Sequence, residues 1–79
     1  MNSLAKERDE AFIEAVVNDK WKKVRNYAKK YGIQVPSKRA VMKAGVYKAV
    51  QHCTNIPEDV KVLAMRKCLE LGFNPMTKI

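Results

Sequence analysis

Apolar residues recur at three- and four-residue intervals along this chain, and no segment alternates with period two over a useful length. That rhythm predicts helices and no sheet, because a helix turns about 100° per residue while a strand reverses its face at each step. Leu4, Ala11, Phe12, Ala15 and Val16 share a face and predict a first helix over 4–17, with Ser3 as its N-cap. Glu7, Asp9 and Glu10 lie near its positive end. Asn18 and Asp19 supply a stop and the cap of a second helix, 20–31, whose stripe is Trp21, Val24, Ala28 and Tyr31 with Tyr27 beside them. Gly32 closes it in the left-handed conformation that glycine adopts without penalty.

Ile33 to Pro36 reads as a short connection, and Ser37 as the cap of a third helix over 38–53. Met42, Val46, Ala49, Val50 and Cys53 fall on one side of it, and Tyr47 falls away from that side, which predicts an exposed ring. Ala40, Ala44 and Gly45 permit close approach of a neighbouring backbone. Because glycine in a helix costs about 1 kcal/mol relative to alanine, Gly45 predicts tight packing there. A fourth helix, 57–71, begins at Pro57 with Glu58 and Asp59 behind it and ends at Gly72. The expected fold is all-α: a compact four-helix single domain over 1–79, followed by an apolar tail, 73–79.

The fourth helix has more apolar residues than one buried stripe needs. Val60, Ala64, Cys68 and Leu71 form one arc; Val62, Met65 and Leu69 form another. Either the helix is central, or the second arc meets another chain or lies under Phe73 and Met76. A domain of 79 residues encloses few helices fully, so Val62, Met65, Leu69, Phe73 and Met76 make a candidate protein interface. Self-association is one form it can take.

Charge changes the picture most. The formal net charge is +8, and between Asp19 and Glu58 the chain carries lysines and arginines with no acidic residue. Ordinary solvated helix faces mix signs at i, i+4. A folded surface of one sign is what a partner built of phosphates selects for. Lys22, Lys23, Arg25, Lys29 and Lys30 occupy the arc opposite the Trp21 stripe, and Lys38, Arg39 and Lys43 open the third helix. If the two helices meet at the 33–36 turn, these eight form one binding surface for nucleic acid or an acidic partner. Trp21, Tyr27 and Tyr31, opposite the lysines, read as core rather than as stacking platforms.

Ala28, Gly32 and Ile33 resemble the alanine–three residues–glycine–aliphatic pattern of the helix-turn-helix family. The connection Gln34-Val35-Pro36 is longer than that family's tight turn, and Lys38 stands where the family places an apolar residue. The resemblance implies a third helix that presents Lys38, Arg39 and Lys43 to a groove. The segments VRNYAKKYGI and KAGVYKAVQHCTNIPEDVK also resemble small proteins of phages and prophages of Gram-positive bacteria. That likeness implies an accessory regulator or an inhibitor of host machinery, anti-CRISPR proteins included, and carries no functional residue with it.

Chemistry is sparse. His52 and Cys53 are adjacent, hence about 100° apart on a helix, and cannot grip one ion together. Cys68 would add only a third ligand. No glycine-rich phosphate loop occurs, and the acid pairs sit at helix starts where the macrodipole explains them. No cofactor, metal or enzymatic activity is expected. No stretch approaches the roughly 20 apolar residues that span a bilayer, and the N-terminus lacks the apolar run of a signal peptide. The expected protein is a cytoplasmic binding protein that engages nucleic acid or a nucleoprotein complex. A protein-directed inhibitor of a host defence nuclease and a small self-associating assembly protein are the rival expectations.

Overall fold

Three residues adopt left-handed backbone among those described, and each ends a helix: Asp19 (φ 57°), Gly32 (φ 67°) and Gly72 (φ 86°). The computed structural model describes residues 3–74, with side chains from Ala5 onward. Within it run α1 (Ser3–Asn18), α2 (Trp21–Lys30), α3 (Arg39–Val50) and α4 (Glu58–Glu70), and no strand. At Gly32 and Gly72 the chain folds back in the same way. Ile33 N–H donates to the Ala28 carbonyl at 2.8 Å and Phe73 N–H to the Cys68 carbonyl at 3.1 Å. These are the six-to-one bonds of Schellman motifs, which satisfy carbonyls that the helix leaves open.

The helices pack as two sequence-adjacent pairs, α1 with α2 and α3 with α4, and α1 also lies against both α3 and α4. Small residues make that closeness feasible. Ala11, Ala15, Ala44 and Ala64 are buried at the crossings, around a centre of Val16, Val50 and Cys68. The radius of gyration is 11.6 Å, about what a compact chain of this length gives. Polar ties reinforce the packing within a pair and between the pairs. Gln51 Nε2 donates to the carbonyls of Tyr47 (3.3 Å) and Lys61 (2.9 Å), joining α3 to α4. The Lys67 ammonium on α4 donates to the Val16 carbonyl near the C-terminus of α1, where a cation also meets the negative end of the dipole.

Several details depart from the sequence-based expectations. Tyr47 is buried, at 3% exposure, because α3 uses a second face against α4 that also buries Ala44. Asp19 does not cap α2: the N-cap position is Lys20, and the Asp19 carboxylate accepts the Trp21 indole N–H at 3.2 Å. Ser37 does not cap α3, whose N-cap is Lys38 with no side-chain bond. Gly45 is not tightly packed; a Cβ built there meets nothing within 4 Å. Leu71 is 38% exposed, one turn beyond the buried Cys68. α2 and α3 do not pack as a helix-turn-helix pair, since the connection spans 31–38 and no Cα of one lies within 8 Å of the other. The expected Ser3 cap, the Leu4 contact and the 75–79 part of the tail lie outside the described residues and side chains.

Candidate functional site

Each turn of α2 exposes cations because its buried stripe, Trp21, Val24 and Ala28, is narrow. Lys22, Lys23, Arg25, Lys29 and Lys30 are all exposed, as are Lys38 and Arg39 at the start of α3. Their surroundings divide them. On one side of α2, Lys23 and Lys30 line a cleft with Glu7 and Glu10 of α1. The Lys30 ammonium lies 3.1 and 3.2 Å from the two oxygens of Glu7. That carboxylate is held below its usual range by the Tyr31 hydroxyl and then by Lys30, while Tyr31 and Lys30 are pushed up by their hydrogen bonds to it. Glu14, hydrogen-bonded by the Asn18 amide at 2.9 Å, is likewise lowered, with Lys23 and Lys20 adding to the effect. Counter-charges missing along the chain are therefore supplied across the α1–α2 contact.

Lys22, Arg25 and Lys29 point elsewhere on α2, and no ion pair among the described residues involves them, Lys38 or Arg39. Lys43 belongs to neither group. It is half-buried, its ammonium 5.4 Å from the centre of the Trp21 ring, in a small cleft shared with Asp19, Tyr47 and Glu70. The arrangement is thus an uncompensated set of five cations, split between α2 and the N-terminus of α3 by the 31–38 connection. Such groups hold anions as point charges and need no further chemistry. The positive end of the α3 dipole adds to the field at Lys38 and Arg39, and no acidic residue sits in its first turn.

On α4, Val60, Ala64 and Cys68 are buried as expected, while Val62 and Leu69 are 47% and 59% exposed and Met65 is half-buried. The helix is not fully enclosed, which removes the central-helix expectation. Phe73 packs against the core beneath the Lys48 ammonium, 5.6 Å from its ring centre. Met76 lies outside the described residues.

No cluster of three or more His, Cys, Asp or Glu that could hold a metal occurs among the described residues. His52 is exposed. Cys53 and Cys68 are buried free thiols, each pushed up by burial, so both stay protonated at neutral pH. No described helix is long and apolar enough to cross a membrane.

Sequence reasoning missed an apolar groove of about 310 Å³ between α1, α2, the connection and α3. Two signals pointed there: Ile33 and Val35 in an exposed connection, and Gly45 in a helix interior. Comparison of the chain with protein-family models, with curated proteins and with solved structures gives no match, so the functional reading rests on this surface alone.

Proposed function

We propose that this chain is a small binding protein for an anionic partner, nucleic acid first, engaged through Lys22, Arg25, Lys29, Lys38 and Arg39. One observation carries the reading: these five cations are exposed and without acidic partners, whereas Lys30 on the same helix is matched by Glu7. Charge matching inside the fold neutralises Lys30 and leaves these five cations unmatched. A nucleoprotein complex presents the same phosphates, so the reading extends to one, as a host-directed phage accessory factor in the cytoplasm would require. It involves no catalysis and no cofactor.

Titration of labelled duplex and single-stranded oligonucleotides of unrelated sequence, at low and moderate salt, tests it. Counterion release gives a limiting slope of about −4.5 in log K against log salt if all five groups contact duplex phosphates. Little difference between sequences is expected, because phosphate contacts carry no sequence information. Absence of binding at low salt overturns the nucleic-acid reading.

The protein-directed alternative, an inhibitor that occupies an acidic surface of a host defence nuclease, is favoured by the apolar groove between α1, α2, the connection and α3. Self-association in an assembly role is favoured by the exposed Val62 and Leu69.

A further inference from the structure

The groove has a floor that helix chemistry does not explain. Gly45 sits in the middle of α3, where glycine is a poorer helix former than alanine. Alanine would fit, since a Cβ there meets nothing within 4 Å. Gly45 instead lines the groove, with Ala49 one turn further on and Met42 and Val46 beside it. The opposite wall is Val24, Tyr27 and Ala28 of α2, with Phe12 of α1 at the end. Ile33, Val35 and Pro36 form the strap between the helices. Ile33 is 47% and Val35 36% exposed. Bare helix backbone in an apolar trough is how a site accepts another chain closely.

Volume and charge narrow the occupant. About 310 Å³ is roughly twice a cavity that holds benzene, which is room for one or two large side chains. Among the described residues Arg8 is the one charged residue of the lining. Its Nε and one terminal nitrogen hold Asp9, at 3.1 and 3.0 Å, which leaves further donors of the guanidinium for a guest. Apart from Arg8 and Phe12 of α1, the lining comes from the acid-free stretch between Asp19 and Glu58. Of the acids of α1, Glu7 is engaged by Lys30 and Asp9 by Arg8. A second copy would set basic surface against basic surface at net charge +8.

We infer that this groove docks a segment of a partner protein that inserts apolar side chains over Gly45 and carries acidic residues beside them. The site is separate from the Lys22–Arg25–Lys29 arc, so it stands whether or not the chain binds nucleic acid.

A selection of short random peptides on the intact protein tests it. Enriched sequences are expected to pair Leu, Ile, Met or Phe anchors with Asp or Glu. Gly45→Leu fills the trough and is expected to weaken those peptides by about tenfold or more, as loss of a central apolar pocket does. Gly45→Ala keeps most of the space and is expected to leave the melting temperature unchanged or raised. Gln34→Glu, isosteric at the exposed rim, is expected to weaken acidic peptides in a salt-dependent way, and Gln34→Lys to strengthen them; this pair decides the charge argument even if Gly45→Leu fails to fold. No enrichment, enrichment without acidic residues, or peptide binding indifferent to both Gly45→Leu and Gln34→Glu overturns the inference. So does a dimer in sedimentation that Gly45→Leu abolishes, or displacement of selected peptides by an oligonucleotide through the same residues.

Discussion

The Trp21 indole stands edge-on to the Tyr47 ring, centroids 5.6 Å apart and planes at 74°. This contact bridges two helices whose backbones do not come within 8 Å, and with the Lys43 ammonium over the same Trp21 ring it ties the start of α2 to α3. Trp21→Ala is expected to cost about 3–5 kcal/mol, the usual range for a buried large aromatic. A thermal or urea melt followed by circular dichroism checks it, and a silent mutant would mean that the pair holds nothing together.

Burial pushes the Tyr47 phenol up to about 12, from an ordinary value near 10. The folded state therefore holds this proton more tightly than the unfolded chain does. Its contribution to stability is complete below about pH 10 and is lost as pH rises from there through about 12. Wild type is expected to melt at progressively lower temperature over that window. Tyr47→Phe is expected to lose less between about pH 10 and about pH 12. Equal alkaline losses in the two proteins would place the titration elsewhere.

Lys22→Glu/Lys29→Glu reverses two cations that have no acidic partner among the described residues. Stability is expected to change by less than about 0.5 kcal/mol, as for most surface substitutions, while oligonucleotide affinity at low salt collapses. Lys30→Gln is the contrast. Its ammonium is already matched by Glu7, so affinity is expected to fall far less. Equal losses from the two variants would show that the field of the whole chain, and not this arc, attracts the oligonucleotide.

Met65→Lys probes the outer face of α4. Met65 is half-buried between the exposed Val62 and Leu69, and a lysine there can extend to water. The mutant is expected to stay helical and to melt cooperatively. Any wild-type mass above the monomer in sedimentation is expected to disappear. An unfolded mutant would show that this arc is packed inside, since a buried unpaired charge is intolerable in so small a domain.

The four helices were legible because their signals are local. Gly32 and Gly72 mark two ends by backbone chemistry alone, and the Trp21 stripe repeats within ten residues. Tyr47 was misread because α3 buries two faces, one toward α1 and one toward α4, and a single-stripe reading assigns the second to water. Asp19 was read as a cap because aspartate suits that position, yet it also tolerates left-handed backbone, and the nearby indole N–H claims its carboxylate. The cations were visible as a run, but their sorting was not. Glu7 lies 23 residues from Lys30 in sequence, a distance at which periodicity says nothing about contact. Gly45 was read as a packing site because sequence shows only that a side chain is missing, not what fills the space.

The placement of α1 against all three other helices has a kinetic consequence. Each pair, α1 with α2 and α3 with α4, closes a short loop and can form early, at small entropic cost. Docking the pairs waits on contacts such as that between Lys67 and the Val16 carbonyl, 51 residues apart. Substitutions at the buried alanines, Ala11 and Ala15 in one pair and Ala44 and Ala64 in the other, are therefore expected to slow folding. If the Lys67–Val16 bond forms only after the barrier, removal of the Lys67 ammonium speeds unfolding and leaves the folding rate unchanged, which a chevron plot reads directly.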